Sequence, residues 1–115
     1  MDKNIRSSEA RLYVSEDVIS KVIAEAAESV DGVVSIAGAP ASLFRLLFAK
    51  SNYGKIRIRF EGGVLSVAVG IVAASDAAAI ETAERVQESI KESVQNILGI
   101  TVARVDVTVC DISAA

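Results

Sequence analysis

The chain has 115 residues, no histidine, one cysteine, three Phe, two Tyr and a formal net charge of −3, yet 51% of its residues are hydrophobic. That length supports one domain with a genuine core, and this composition makes the core aliphatic, built from Val, Ile, Leu and Ala. The missing histidine removes the usual neutral-pH base and metal ligand, and the acidic balance argues against a sequence-independent nucleic-acid binder, which needs a basic face.

Residues 1–10 are polar and read as a flexible tail. Met1 to Glu9 contain no apolar h-region, so no signal peptide is expected. The lone Cys110 forms no internal disulfide, which suits a reducing compartment. The longest apolar run, Val67 to Ala74, falls far short of the roughly 20 residues that span a bilayer. A cytoplasmic protein without direct membrane insertion is expected, with one domain over residues 11–112 and a short tail at 113–115.

Arg11 to Val14 reads as a short strand. Ser15 is a good helix N-cap, and Glu16 and Asp17 follow in the first turn, where the helix dipole favours carboxylates. Val18, Val22, Ala26 and Val30 recur every four residues with Ile19, Ile23 and Ala27 beside them, which predicts an amphipathic helix. Asp31 and Gly32 are expected to stop it, and Val33 to Ile36 form a strand.

In the hairpin, Ile56, Ile58 and Phe60 alternate with Lys55, Arg57, Arg59 and Glu61, and Gly62-Gly63 supplies a two-residue turn. The turn pairs Phe60 with Leu65, Ile58 with Val67 and Ile56 with Val69, all on one face. A one-residue slip would bury the cations, so pattern and turn agree on the register.

Ser75 or Asp76 caps a long helix from 77 to about 98, about 33 Å at 1.5 Å per residue. Its apolar stripe is Ile80, Ala83, Val86, Ile90, Val94 and Ile97, with Glu81, Glu84, Arg85, Glu88, Lys91 and Glu92 outside it. Gly99 ends it. A last strand places Ala103, Val105, Val107 and Val109 inward and Arg104, Asp106 and Thr108 outward. The order β-α-β-β-β-α-β predicts an α+β fold: a two-layer sandwich with two main helices on one face of a mainly antiparallel four- to five-stranded sheet.

Val14-Ser15-Glu16-Asp17-Val18-Ile19, leading through an Ala-rich helix to Val30-Asp31-Gly32-Val33, resembles the opening signature of the alkaline shock protein family, the Gls-type envelope stress response proteins of Gram-positive bacteria. The run from Glu84-Arg85-Val86-Gln87 to Ile90-Lys91 and Val94 is similar to that family's VQ-x-x-(I/V)-K-x-x-V helix. Leu98-Gly99-Ile100 and the strand Val105 to Val109 extend the resemblance over residues 11–112. It implies a non-enzymatic structural or interaction protein of the envelope (alkaline) stress response. It also implies self-association into a homo-oligomer and recruitment to the cytoplasmic face of the membrane by small membrane-protein partners. The family carries no catalytic motif, so no catalytic, cofactor or metal residues are assigned.

Two segments are candidate partner-binding sites. Leu43, Phe44, Leu46, Leu47 and Phe48 are too crowded for one narrow helical stripe. They form either a cap on the end of the core or an apolar patch for a partner or membrane surface, with Arg45 and Lys50 beside it. Lys55, Arg57 and Arg59 line one strand face, either as solvated charges that discourage edge aggregation or as a docking strip for an acidic partner or anionic headgroups. In the docking reading, the acidic side of the long helix (Glu81, Glu84, Glu88 and Glu92) is expected to complement that strip on a neighbouring copy. Cys110, out of phase with the inward residues, reads as a small inert packing residue, and Gly62, Gly63 and Gly70 do not stand where a phosphate loop requires them. The second functional reading is an RNA-binding α+β module, opposed by the charge balance, the missing GXXG-type loop and the lack of paired strand aromatics.

Overall fold

The structure, a computed structural model, describes residues 14–39 and 53–113. Helix α1 (Glu16–Glu28) starts where Ser15, in extended backbone, accepts a hydrogen bond at Oγ from the Val18 N–H, 3.2 Å away. It buries Ile19, Ile23, Ala24, Ala26 and Ala27, whereas Val18 is exposed and Val22 and Val30 are partly buried. The apolar arc read from the sequence is wider than the arc another element covers, so the buried stripe is centred nearer Ile19 and Ile23. The helix ends at Glu28, and Gly32, expected to stop it, lies in the turn that follows.

Strands β1 (Val33–Ile36), β2 (Ile56–Glu61), β3 (Val64–Ala73) and β4 (Val102–Ile112) form one sheet. The hairpin has the expected register, with Ile56 opposite Val69, Ile58 opposite Val67 and Phe60 opposite Leu65. Strand β3 is central. β1 pairs with its C-terminal end and β2 with the rest, both antiparallel and in succession along one edge, while β4 runs parallel along the other edge. Helix α2 (Ala79–Ser93) is the crossover between β3 and β4, and such a connection returns the chain in the same direction. Two of the three ladders are thus antiparallel, and four strands stand among the described residues. The strand expected at Arg11 to Val14 lies, Val14 apart, outside them.

Helices α1 and α2 pack on one face of this sheet, giving the α+β two-layer sandwich. Ile19, Ile23 and Ala27 of α1 and Val86, Ile90 and Val94 of α2 and its continuation meet Leu65, Val67, Val69 and Ile71 in one aliphatic core. Ser89 Oγ donates to the Ala26 carbonyl at 2.8 Å and ties the helices together.

Three local expectations are corrected. The N-cap position of α2 is Ala78, without a side-chain bond, and Ser75 Oγ accepts from the Ala77 N–H in the turn before it. Ile80 and Ile97 are 78% and 66% exposed, and the α2 stripe is Thr82, Val86, Ile90 and Val94. A π-helical turn (Val94–Leu98) adds a residue at the end of α2, so Leu98 rather than Ile97 packs against the core. In β4 the register shifts after Val102, which pairs with Leu65 and is buried. Ala103 is the extra residue of this bulge and is exposed.

The junction of β1, β2 and β3 is closed by three backbone hydrogen bonds. Ala37 N–H donates to the Gly70 carbonyl (2.8 Å), Lys55 N–H to the Ala37 carbonyl (2.8 Å) and Gly70 N–H to the Lys55 carbonyl (3.0 Å). The chain therefore leaves the sheet after Ala37 and returns at Lys55 to the same point. Gly54 makes the return with φ of 97°, and a Cβ there would stand 2.6 Å from Ile36 Cγ2 and 2.7 Å from the Ala37 carbonyl oxygen. Gly54→Ala is expected to cost about 2–4 kcal/mol, left-handed strain plus overpacking. Gly62→Ala, at a positive φ but with open space around it, should cost about 1 kcal/mol. Urea unfolding of the two variants checks the difference.

Candidate functional site

The face of the sheet away from the helices is uncovered by any described element. Its centre line is the polar or small side of β3: Ser66, Ala68 and Gly70. β2 raises Lys55, Arg57 and Arg59 along one flank, and β4 raises Arg104, Asp106 and Thr108 along the other. Pairing aligns them in rungs: Arg59–Ser66–Arg104, Arg57–Ala68–Asp106, and Lys55–Gly70–Thr108. Adjacent strands lie about 4.8 Å apart, which sets the flanks roughly 10 Å from each other. The small centre and long flanks make a trough, with a hollow of about 550 Å3 at the Gly70 end and another of about 450 Å3 at the Ser66 end.

Arg104 Nε donates to both carboxylate oxygens of Asp106, at 3.0 and 2.9 Å, within its own strand. Arg59 stands 4.0 Å from Glu61. Lys55 and Arg57 make no ion pair among the described residues. The structure thus keeps the three cations of the β2 row on one exposed flank. The other candidate segment, Leu43, Phe44, Leu46, Leu47 and Phe48, lies outside the described residues.

Cys110, read as a packing residue, lies against Gly70 but keeps its side chain exposed. A second register shift, between the Ile71–Val109 and Val72–Asp111 pairs, leaves Cys110 as the extra residue of β4. Its free thiol is exposed, and Sγ would stand 2.8 Å from a Cβ placed on Gly70. A glycine inside a Val-rich strand is the sequence signal for such a close approach. The two bulges themselves have no comparable signature.

On the opposite side of the molecule, α2 turns Glu81, Glu84, Glu88 and Glu92 to solvent around Arg85 and Ser89. Arg85 pairs with Glu81 at 3.0 Å, and Glu84, Glu88 and Glu92 make no ion pair among the described residues. Phe60 projects on the helix side, since it is registered with the core residue Leu65. Among the described residues no aromatic therefore stands beside the cation row to stack a base. Among the described residues no group of three or more Cys, Asp or Glu side chains is placed to hold a metal ion. No helix among them is long and apolar enough to cross a membrane.

The fold and this face define a two-layer α+β domain with an open, charged sheet surface. The same architecture occurs in solved structures of the MamM CTD. One, a copper form, has a TM-score of 0.59 at 18% identity, covering 84% of this chain and 85% of that one. Another, a doubly substituted form, has a TM-score of 0.59 at 19% identity, covering 84% and 92%. At this identity the likeness is one of fold. The uncharacterized protein Spy1614 of Streptococcus pyogenes serotype M6 is 30% identical over 115 residues, which is 97% of this chain and 95% of the relative. Residues 4–114 match the alkaline shock protein 23 family, described by its cell envelope-related function, and the chain belongs to that family.

The charged side chains of both faces are exposed, so the fold does not depend on them. Arg57→Glu, Arg59→Glu, Glu84→Lys and Glu88→Lys should each change stability by less than about 0.5 kcal/mol, as read from urea midpoints.

Proposed function

We propose that this protein is a non-enzymatic structural protein of the envelope stress response, self-associating and held at the cytoplasmic face of the membrane by a small membrane-protein partner. The family's cell envelope-related function supports the cellular role. The observation that carries the molecular role is the separation of charge among the described residues. Cations stand over the open sheet face and carboxylates on the outside of α2, which suits contact between molecules rather than chemistry within one.

In this reading the apolar segment Leu43, Phe44, Leu46, Leu47 and Phe48 contacts the membrane partner, and Lys55, Arg57 and Arg59 contact another copy. The protein needs neither cofactor nor metal for this, and it reaches the membrane through its partner. Affinity capture from the native cell with membranes retained tests the proposal. Recovery of a small integral membrane protein, lost when Phe44 and Phe48 are changed to Ser, is the expected result. Recovery of RNA in its place would mean a nucleic-acid-binding module.

A further inference from the structure

We infer that the open sheet trough is the seat of helix α2 from a second copy of this chain, with Glu84, Glu88 and Glu92 laid along Lys55, Arg57 and Arg59. The inference rests on the self-association proposed above and specifies its surface.

The first argument is pitch. Alternate residues of a strand repeat every 6.6 Å or so, and residues four apart on a helix repeat every 6 Å or so. Three cations and three carboxylates therefore fall into step, with a mismatch of about 1.2 Å over the whole row that long side chains absorb. The second is shape. Ser66, Ala68 and Gly70 keep the trough floor low, so a helix ridge can approach the strand while the flanking cations reach up around it.

Charge is the third. In one copy Glu84, Glu88 and Glu92 repel one another at i,i+4 spacing. They make no ion pair among the described residues, and neither do Lys55 and Arg57. Docking gives every one of these groups an opposite partner. Such contacts between complementary faces mainly set specificity and approach, and they weaken with salt.

The two surfaces lie on opposite layers of one molecule, so the contact is head-to-tail: each copy offers a trough to one neighbour and a ridge to another. Cys110 borders the trough and becomes shielded when a ridge is seated.

Sedimentation velocity on the full chain tests this with wild type, Arg57→Glu/Arg59→Glu, and Glu84→Lys/Glu88→Lys. Each reversed protein carries like charge on both faces. Each should associate on the order of tenfold or more weakly than wild type, and an equimolar mixture should regain association because each then meets its complement. In wild type, alkylation of Cys110 should slow as concentration rises, and added salt should reverse that effect. If the two reversed proteins associate as wild type does, or their mixture stays monomeric, the assignment of surfaces is wrong while self-association stands. If wild type itself is monomeric at every concentration, the self-association reading fails and this inference with it. Binding of monomeric wild type to phosphatidylglycerol vesicles, abolished by Arg57→Glu/Arg59→Glu, would make lipid the occupant and overturn the inference.

Discussion

The structure is hung on one strand with two unlike sides. On one side of β3, Leu65, Val67, Val69, Ile71 and Ala73 are buried beneath the helices. On the other, Ser66, Ala68 and Gly70 offer almost no side chain. Removing the first set and the other core side chains from water is the main favourable term for a domain of this size, at about 25 cal/mol per Å2 of apolar surface. The second set contributes little to that burial and shapes the trough instead. The rest of the sheet follows from this strand, because every other described strand pairs with it.

Its centrality also explains the awkward junction at Ala37, Lys55 and Gly70. Two short strands share one edge of β3, so the chain must leave the sheet between them and come back to nearly the same place. Three backbone hydrogen bonds close that gap and pair the N–H and C=O of Ala37, Lys55 and Gly70. The closure requires Gly54, whose positive φ and contact with Ile36 admit no side chain.

Electrostatics in this molecule is a property of faces rather than of pairs. Arg104 with Asp106 and Arg85 with Glu81 are well formed yet exposed, and such pairs contribute little to stability in water. What persists is a surplus of positive charge over the sheet and of negative charge over α2, separated by the thickness of the core. A net charge of −3 conceals this separation.

Local chemistry was legible in the chain itself. The Ser15 cap, the hairpin register and the sorting of Ile56, Ile58 and Val67 from Arg57 and Arg59 each depend on neighbours a few residues apart, where spacing and turn geometry leave one solution. The cation row was readable for the same reason, as was the acidic side of α2. Three-dimensional packing alone decided the rest. Whether β4 pairs parallel to β3, and where its bulges fall, depends on how α2 lies across the sheet, so Ala103 turned out to solvent and Cys110 came to rest over Gly70. The fate of Ile80 and Ile97 was settled likewise, since a periodic pattern marks which residues can be buried, and only a partner element at the right height determines which are.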